Sequence, residues 1–246
     1  MLLQHTSGLP NPDDSQSAAA NAFPDFYRRT DPASGGTSDA LGYCAGATKA
    51  APGSGFAYDN CDYLVLGAVL ERASGLSYAT LLRDRVVRVL GLRHVGLARG
   101  DRTLPVMAAG FVGSGRREPQ FALATFGPAG AIYGTAEDLA AFDRGLLDHR
   151  LLSEDATRVA WTGDPRLGFV ALGAWSFSVS LRGCAAPVEL VERRGEIGGV
   201  EVRNLLAPEI GRALVVFSDR SDLDFGEIWQ SRGLSYDLAS AAFCPA

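Results

Sequence analysis

Four short runs in the last third of the chain constrain most strongly what it can fold into. "GAWSFSVSL", "APVELVERRG", "GVEVRNLLA" and "RALVVFS" follow one another after about residue 168. In the first, Trp175, Phe177, Val179 and Leu181 alternate with other residues, the two-residue period of a half-buried strand. The second and third runs are joined through Glu196 to Gly198, and the third and fourth through Pro208 to Gly211. Connections this short join antiparallel neighbours, because a parallel pair needs a crossover of a dozen residues or more. A helix expected over about Phe225 to Phe243 could cover one face of the sheet.

The preceding residues read as helix and loop. Residues 1 to 55 are broken by Pro10, Pro12, Pro24, Pro32 and Pro52, with short helical pieces expected between Ser17 and Arg29. Asp59 or Asn60 can cap a helix from about Cys61 to Ala73, stopped by Gly75. Ser77 can cap "YATLLRDRVVRVL", stopped by Gly91, with Leu81, Leu82, Val86, Val89 and Leu90 on one face. Thr135 and Asp138 form a near capping box before "AEDLAAFDRGLL", and Ser153 opens a further short helix. Residues 92 to 132 look irregular. The expected fold is therefore α/β of the α+β type, a single domain over 1–246. Residues 1–165 are expected to be mostly helical, and residues 166–246 to hold the antiparallel sheet and a C-terminal helix.

Composition excludes several function classes. The chain has 246 residues, 47% of them hydrophobic, with a net charge of -5. That is enough apolar material for a substantial core, and no basic run offers a nucleic-acid or anionic-membrane surface. No apolar stretch reaches transmembrane length, and residues 1 to 20 have neither the basic nor the apolar region of a signal peptide. Lys49 is the only lysine, so a phosphate-cradle Gly-Lys-Ser/Thr motif is impossible. The zinc motif HExxH and the nucleophile elbow G-x-S-x-G are both absent. The histidines His5, His94 and His149 are scattered; a zinc site needs clustered ligands at characteristic spacing, so no metal is expected, and neither is any cofactor. His5 reads as a structural loop residue, and Asp59 and Asp62 as acids matching a helix dipole. Cys44, Cys61, Cys184 and Cys244 allow two disulfides in any of three connectivities, or four buried thiols. A Cys44–Cys61 bond would close a Gly/Ala/Pro-rich loop, and Cys184–Cys244 would tie the C-terminus down. Disulfides would favour an oxidising compartment.

Three phrases stand out together: "LLQHTSGLP" at the start, "FAYDNCDYLVLGAVLERASG" about fifty residues later, and "ERRGEIGGVEV" on the late strand pair. In this order they resemble the serine β-lactamase and penicillin-binding-protein-like hydrolases, in particular the class C β-lactamase and family VIII esterase branch. The "YGTAEDLAAF" helix start fits the same pattern. The resemblance implies a β-lactamase/transpeptidase-like fold and acyl-serine hydrolysis of an ester, a D-peptide amide or a β-lactam. Its substrate would be a small molecule or peptidoglycan-like. The Tyr-x-Asn element of that family falls on Tyr58 and Asn60, a general base and a substrate-amide ligand. The Lys-Thr-Gly element falls on Arg193, Arg194 and Gly195. Arg193 would hold a substrate carboxylate, Gly195 would let substrate lie against the strand, and the Glu196 backbone N–H would be one oxyanion donor. Each residue also has a plainer reading. Tyr58 could be a packed aromatic, Asn60 a cap, and the arginines with Glu192 and Glu196 a charged strand end.

One departure is severe. The family's Ser-x-x-Lys cannot occur here, because Gly46 stands three before Lys49. In the family that motif lies upstream of the HTSGLP phrase. The resemblance thus implies a chain lacking the nucleophile helix and first strands, with a periplasmic or secreted whole protein whose signal peptide lies further upstream. The alternative is a non-catalytic ligand-binding relative. The absent strand would have paired with Arg212 to Ser218, leaving an apolar edge.

Overall fold

A computed structural model describes residues 1–17, 22–28, 37–46, 48–98, 107–113 and 115–244. The chain forms two compact units, Met1–Met107 with Pro119–Thr135, and Ala108–Glu118 with Ala136–Ala246. The boundary lies at Thr135, so the helices between 136 and 165 belong with the sheet.

The first unit is mostly helical, with one short antiparallel pair, Gly96–Leu97 against Ile132–Tyr133. Helix α1 (Thr37–Cys44) and helix α2 (Cys61–Ser74) are joined end to start by the Cys44–Cys61 disulfide. The sequence missed α1 because its Gly- and Ser-rich surroundings read as loop. Helix α2 ends as expected at Gly75, in a left-handed conformation with its N–H on the Glu71 carbonyl. Of the pieces expected between Ser17 and Arg29, a 3-10 helix forms at Asp25–Arg28; residues 18–21 and 29 lie outside the described residues. This turn buries Phe26 and Tyr27. The Tyr27 ring stacks on Phe126 at 4.0 Å, and Phe23, Phe121 and Tyr43 complete an aromatic core.

Ser77 caps helix α3 (Tyr78–Leu82), accepting from the Thr80 N–H. The helix continues through a π-helical segment at Arg83–Val87 and a last turn at Arg88–Leu90, closed by left-handed Gly91. A π turn shifts the phase of the side chains that follow. Of the expected apolar face, Leu81, Leu82, Val86 and Leu90 are half-buried, whereas Val89, beyond the π turn, is 41% exposed.

The second unit carries helix α4 (Ala136–Leu147), which starts directly after Thr135, and helix α5 (Glu154–Ala160), capped by Ser153. Strands β1 (Trp175–Val179), β2 (Val188–Ile197), β3 (Val200–Ala207) and β4 (Arg212–Ser218) form an antiparallel sheet in sequence order. The β2–β3 turn is shorter than expected: Ile197 pairs with Val200, leaving only Gly198 and Gly199 between them. Glu196 is therefore a strand residue, opposite Glu201.

One sheet face presents Phe177, Val179, Val188, Leu190, Leu205 and Ala207 to helix α6 (Leu234–Phe243) and Ile228. The C-terminal helix is shorter than the expected Phe225 to Phe243, because a separate 3-10 turn occupies Ile228–Gln230. The Cys184–Cys244 disulfide ties its end to the β1–β2 connection. Helix α4 packs along β4, and its Asp143 is bonded to Asn204 of β3.

Candidate functional site

The Tyr58–Asn60 turn is built by the segment before α2. Asp59, not Asn60, makes the side-chain cap, its Oδ1 accepting the Asp62 N–H at 2.7 Å; Asn60 makes no cap bond. Its side chain works elsewhere. The Asn60 Nδ2 donates to the Tyr27 hydroxyl at 2.8 Å and to Asp13 Oδ1 at 3.2 Å, and its Oδ1 accepts the Tyr58 hydroxyl at 3.1 Å. Tyr27 in turn donates to Asp13 at 2.6 Å. Burial, then the hydrogen bond and charge of Asp13, raise the Tyr27 pKa well above the ordinary phenol range, so Tyr27 stays a protonated donor. Asn60 is buried while Tyr58 is 42% exposed. The two residues picked from the sequence therefore touch. Asp13 and Tyr27, which fix them, were missed because they lie 47 and 33 positions from Asn60.

The HTSGLP phrase lies against the same turn. The His5 carbonyl accepts the Ala57 N–H, and the His5 ring lies 4.4 Å from that of Tyr58. Gly8 has φ +76°, and a Cβ there would lie 2.2 Å from the Ala50 carbonyl oxygen, so glycine is required. His5, Asp59 and Asp62 form a buried cluster beneath Tyr58. Burial raises the Asp59 pKa to about 7; the Asp62 N–H bond works against this and the Asp62 carboxylate adds to it. Spacing could not reveal this cluster, since His5 lies 54 positions from Asp59.

In the second unit the two arginines of β2 part ways. Arg194 is held at 2.9 Å by the buried Glu192 and at 2.7 Å by Glu227, above the Trp229 ring. Burial works against its charge, but the two carboxylates more than offset it. Its acidic partners are Glu192 and Glu227 rather than Glu196. Arg193 points to the opposite face by strand alternation. It has no carboxylate partner among the described residues, and its guanidinium lies 6.0 Å from the Trp175 ring centre. Strand β1 stops pairing at Glu192, where Trp175 is opposite. Among the described residues the β1-side edge of β2 is therefore open from Arg193 to Ile197. A Cβ on Gly195 would meet only Val202, at 3.7 Å, so nothing within the unit demands glycine there.

A family model described as Beta-lactamase matches residues 1–234. The chain belongs to the beta-lactamase family. A human protein named beta-lactamase-like 1 is 34% identical over 112 residues, 44% of this chain and 22% of the relative. The Bacillus subtilis penicillin-binding protein PbpX is 27% identical over 108 residues, 43% of this chain and 28% of the relative. These matches span about a quarter of either relative's length. The D-amino acid amidase of Ochrobactrum anthropi SV3 superposes with a TM-score of 0.74 at 19% identity, over 98% of this chain and 70% of the amidase. A Streptomyces D-stereospecific amidohydrolase gives 0.73 at 20% identity, over 100% of this chain and 72% of the other. At such identities the likeness concerns the fold, which is the expected β-lactamase/transpeptidase-like one. No helix among the described residues is long and apolar enough to cross a membrane.

Proposed function

We propose that this beta-lactamase-family chain supplies the base and the substrate cradle of a serine acyl-transfer site for a small ester, D-peptide amide or β-lactam. The open β2 edge from Arg193 to Ile197 is the observation that carries this reading. An extended substrate can add to such an edge through main-chain bonds. In this reading the Glu196 N–H points out of that edge as an oxyanion donor. Gly195 keeps the strand flat enough for close approach, and Arg193 binds a substrate carboxylate. Tyr58 is the proton acceptor. Asn60, its Nδ2 already committed to Tyr27 and Asp13, orients Tyr58 and offers the remaining lone pair of Oδ1 to a substrate N–H. The D-amino acid amidase and D-stereospecific amidohydrolase neighbours support the amide branch. We read 1–246 as one domain, since a single family model spans both units. The two disulfides support a periplasmic or secreted protein.

A second reading rests on one observation: the 246 residues contain no Ser-x-x-Lys. By themselves they would bind such ligands without reacting. A fluorescent penicillin should therefore leave the purified chain unlabelled, and stoichiometric labelling would refute the missing-nucleophile reading. Equilibrium binding of a D-amino acid amide and of a penicillin, followed by NMR, tests the cradle. Arg193→Ala should weaken the carboxylate-bearing penicillin about tenfold, roughly the loss of one charge-assisted hydrogen bond. The amide, which has no carboxylate, should be affected far less. Equal effects on both ligands, or none on either, would sink the role of Arg193.

A further inference from the structure

The cluster of His5, Asp59 and Asp62 lies outside the chemistry proposed above. Each of the three is at most 3% exposed. Each offers a ligand atom, and these atoms lie within 4.8 Å of one another. Among the described residues, three of their carboxylate oxygens have no hydrogen-bond partner, Asp59 Oδ2 and both of Asp62; His5 faces them with Nδ1, which accepts only a long bond from the Asp59 N–H at 3.4 Å. Buried carboxylates are costly unless protons, a counter-charge or hydrogen bonds compensate them. The nearest cationic candidate is His5 itself, whose Nδ1 lies 3.5 Å from Asp62 Oδ2, long for a charge-assisted hydrogen bond. The same separation is close to the edge of a tetrahedron around Zn²⁺, the ion taking the Nδ1 lone pair in place of the 3.4 Å bond from the Asp59 N–H. Bonds of about 2.0–2.1 Å place neighbouring ligands about 3.4 Å apart.

From this geometry we propose that His5, Asp59 and Asp62 bind one divalent transition-metal ion, with Zn²⁺ as the fitting choice. One imidazole and two carboxylates suit Zn²⁺ better than the hard, oxygen-seeking Mg²⁺ or Ca²⁺. The ion's charge balances the two carboxylates. Asp59 uses Oδ1 to cap α2 and has Oδ2 free for the ion. His5 is held in a left-handed conformation, φ 51°. Its ring is walled by Phe56, Tyr58 and Tyr63, with centroids 5.9, 4.4 and 5.2 Å away. Such a wall limits water and strengthens the electrostatics. The ion would tie the first turn of α2 to the HTSGLP loop, a structural site rather than a reactive one.

The test uses the disulfide-bonded 246-residue chain, stripped with chelator and titrated with Co²⁺ as a coloured stand-in. The expected result is a visible d–d band saturating at one equivalent and bleached by Zn²⁺. Zn²⁺ at about a hundred times Kd should raise the melting temperature by about 5 °C or more. X-ray absorption at the zinc edge should show nitrogen and oxygen ligands, with imidazole scattering and no sulfur. His5→Gln and Asp62→Asn should lose the band, whereas His94→Gln and His149→Gln should keep it. A folded wild-type chain with no band and no thermal shift overturns the proposal, leaving protons alone to neutralise the cluster. So does a band that survives in folded His5→Gln. Should the ligand variants fail to fold, the wild-type titration and its absorption spectrum still decide.

Discussion

Asp143 shows how one buried carboxylate makes stability depend on pH. Burial raises its pKa to about 6 from 3.8, while the hydrogen bond from the Asn204 amide works the other way. Among the described residues Asp143 Oδ2 and Asn204 Oδ1 both lack a partner, so a proton on Asp143 supplies a donor to a pair with two orphan oxygens. The folded state holds this proton more tightly than the unfolded chain does. The stability it contributes is therefore complete below pH 3.8 and lost as the pH rises through about 6. Asp143→Asn keeps an acceptor for Asn204 and carries a permanent donor. It should be about 1–3 kcal/mol more stable than wild type near pH 8 and close to neutral near pH 4. Thermal melts at the two pH values check this, and a difference independent of pH would contradict it. Tyr58 and Asn60 were legible because their short spacing before an apolar helix is local. Asp13, Tyr27 and His5, which hold them, were not, because the chain folds back over tens of residues to deliver them.

At the scale of elements, caps and stops carried most of the sequence signal. Ser77, Ser153, Gly75 and Gly91 all act as their residue types imply. What a helix face touches was less legible. Gly67, inside α2, looks like a weak point that alanine would strengthen by about 1 kcal/mol. In the fold a Cβ there would lie 2.2 Å from Pro128 Cγ. Gly67→Ala should instead destabilise the protein by about 1–3 kcal/mol, as overpacking does. Urea denaturation would expose the opposite sign if the proline ring can move aside. The π segment at Arg83–Val87 is a similar case. The sequence supported one regular apolar face, and only the three-dimensional path reveals the slip that leaves Val89 exposed.

For the whole molecule, the disulfides differ in what they constrain. Cys44–Cys61 joins residues 17 apart, and Cys184–Cys244 residues 60 apart. In the loop-entropy account the second removes more freedom from the unfolded chain, about 4 kcal/mol against about 3. Replacing Cys184 and Cys244 by Ser should therefore cost more in urea titrations than replacing Cys44 and Cys61. The reverse order would mean that local packing around α1 and α2 outweighs loop closure. Strand β4 pairs only with β3 among the described residues, which leaves the apolar edge expected from the sequence, with Phe217 41% exposed.

The sequence by itself determined the antiparallel sheet, the helix starts and stops, and the Tyr58–Asn60 pair. Alternation, caps and short turns act between neighbours in the chain. Tertiary structure alone decided which of three cysteine pairings forms. It decided that Arg194 is spent on Glu192 and Glu227 while Arg193, among the described residues, has no carboxylate partner. It also gathered His5, Asp59 and Asp62 under one turn. Each of these depends on groups far apart in sequence, and no local periodicity encodes the burial that sets their chemistry.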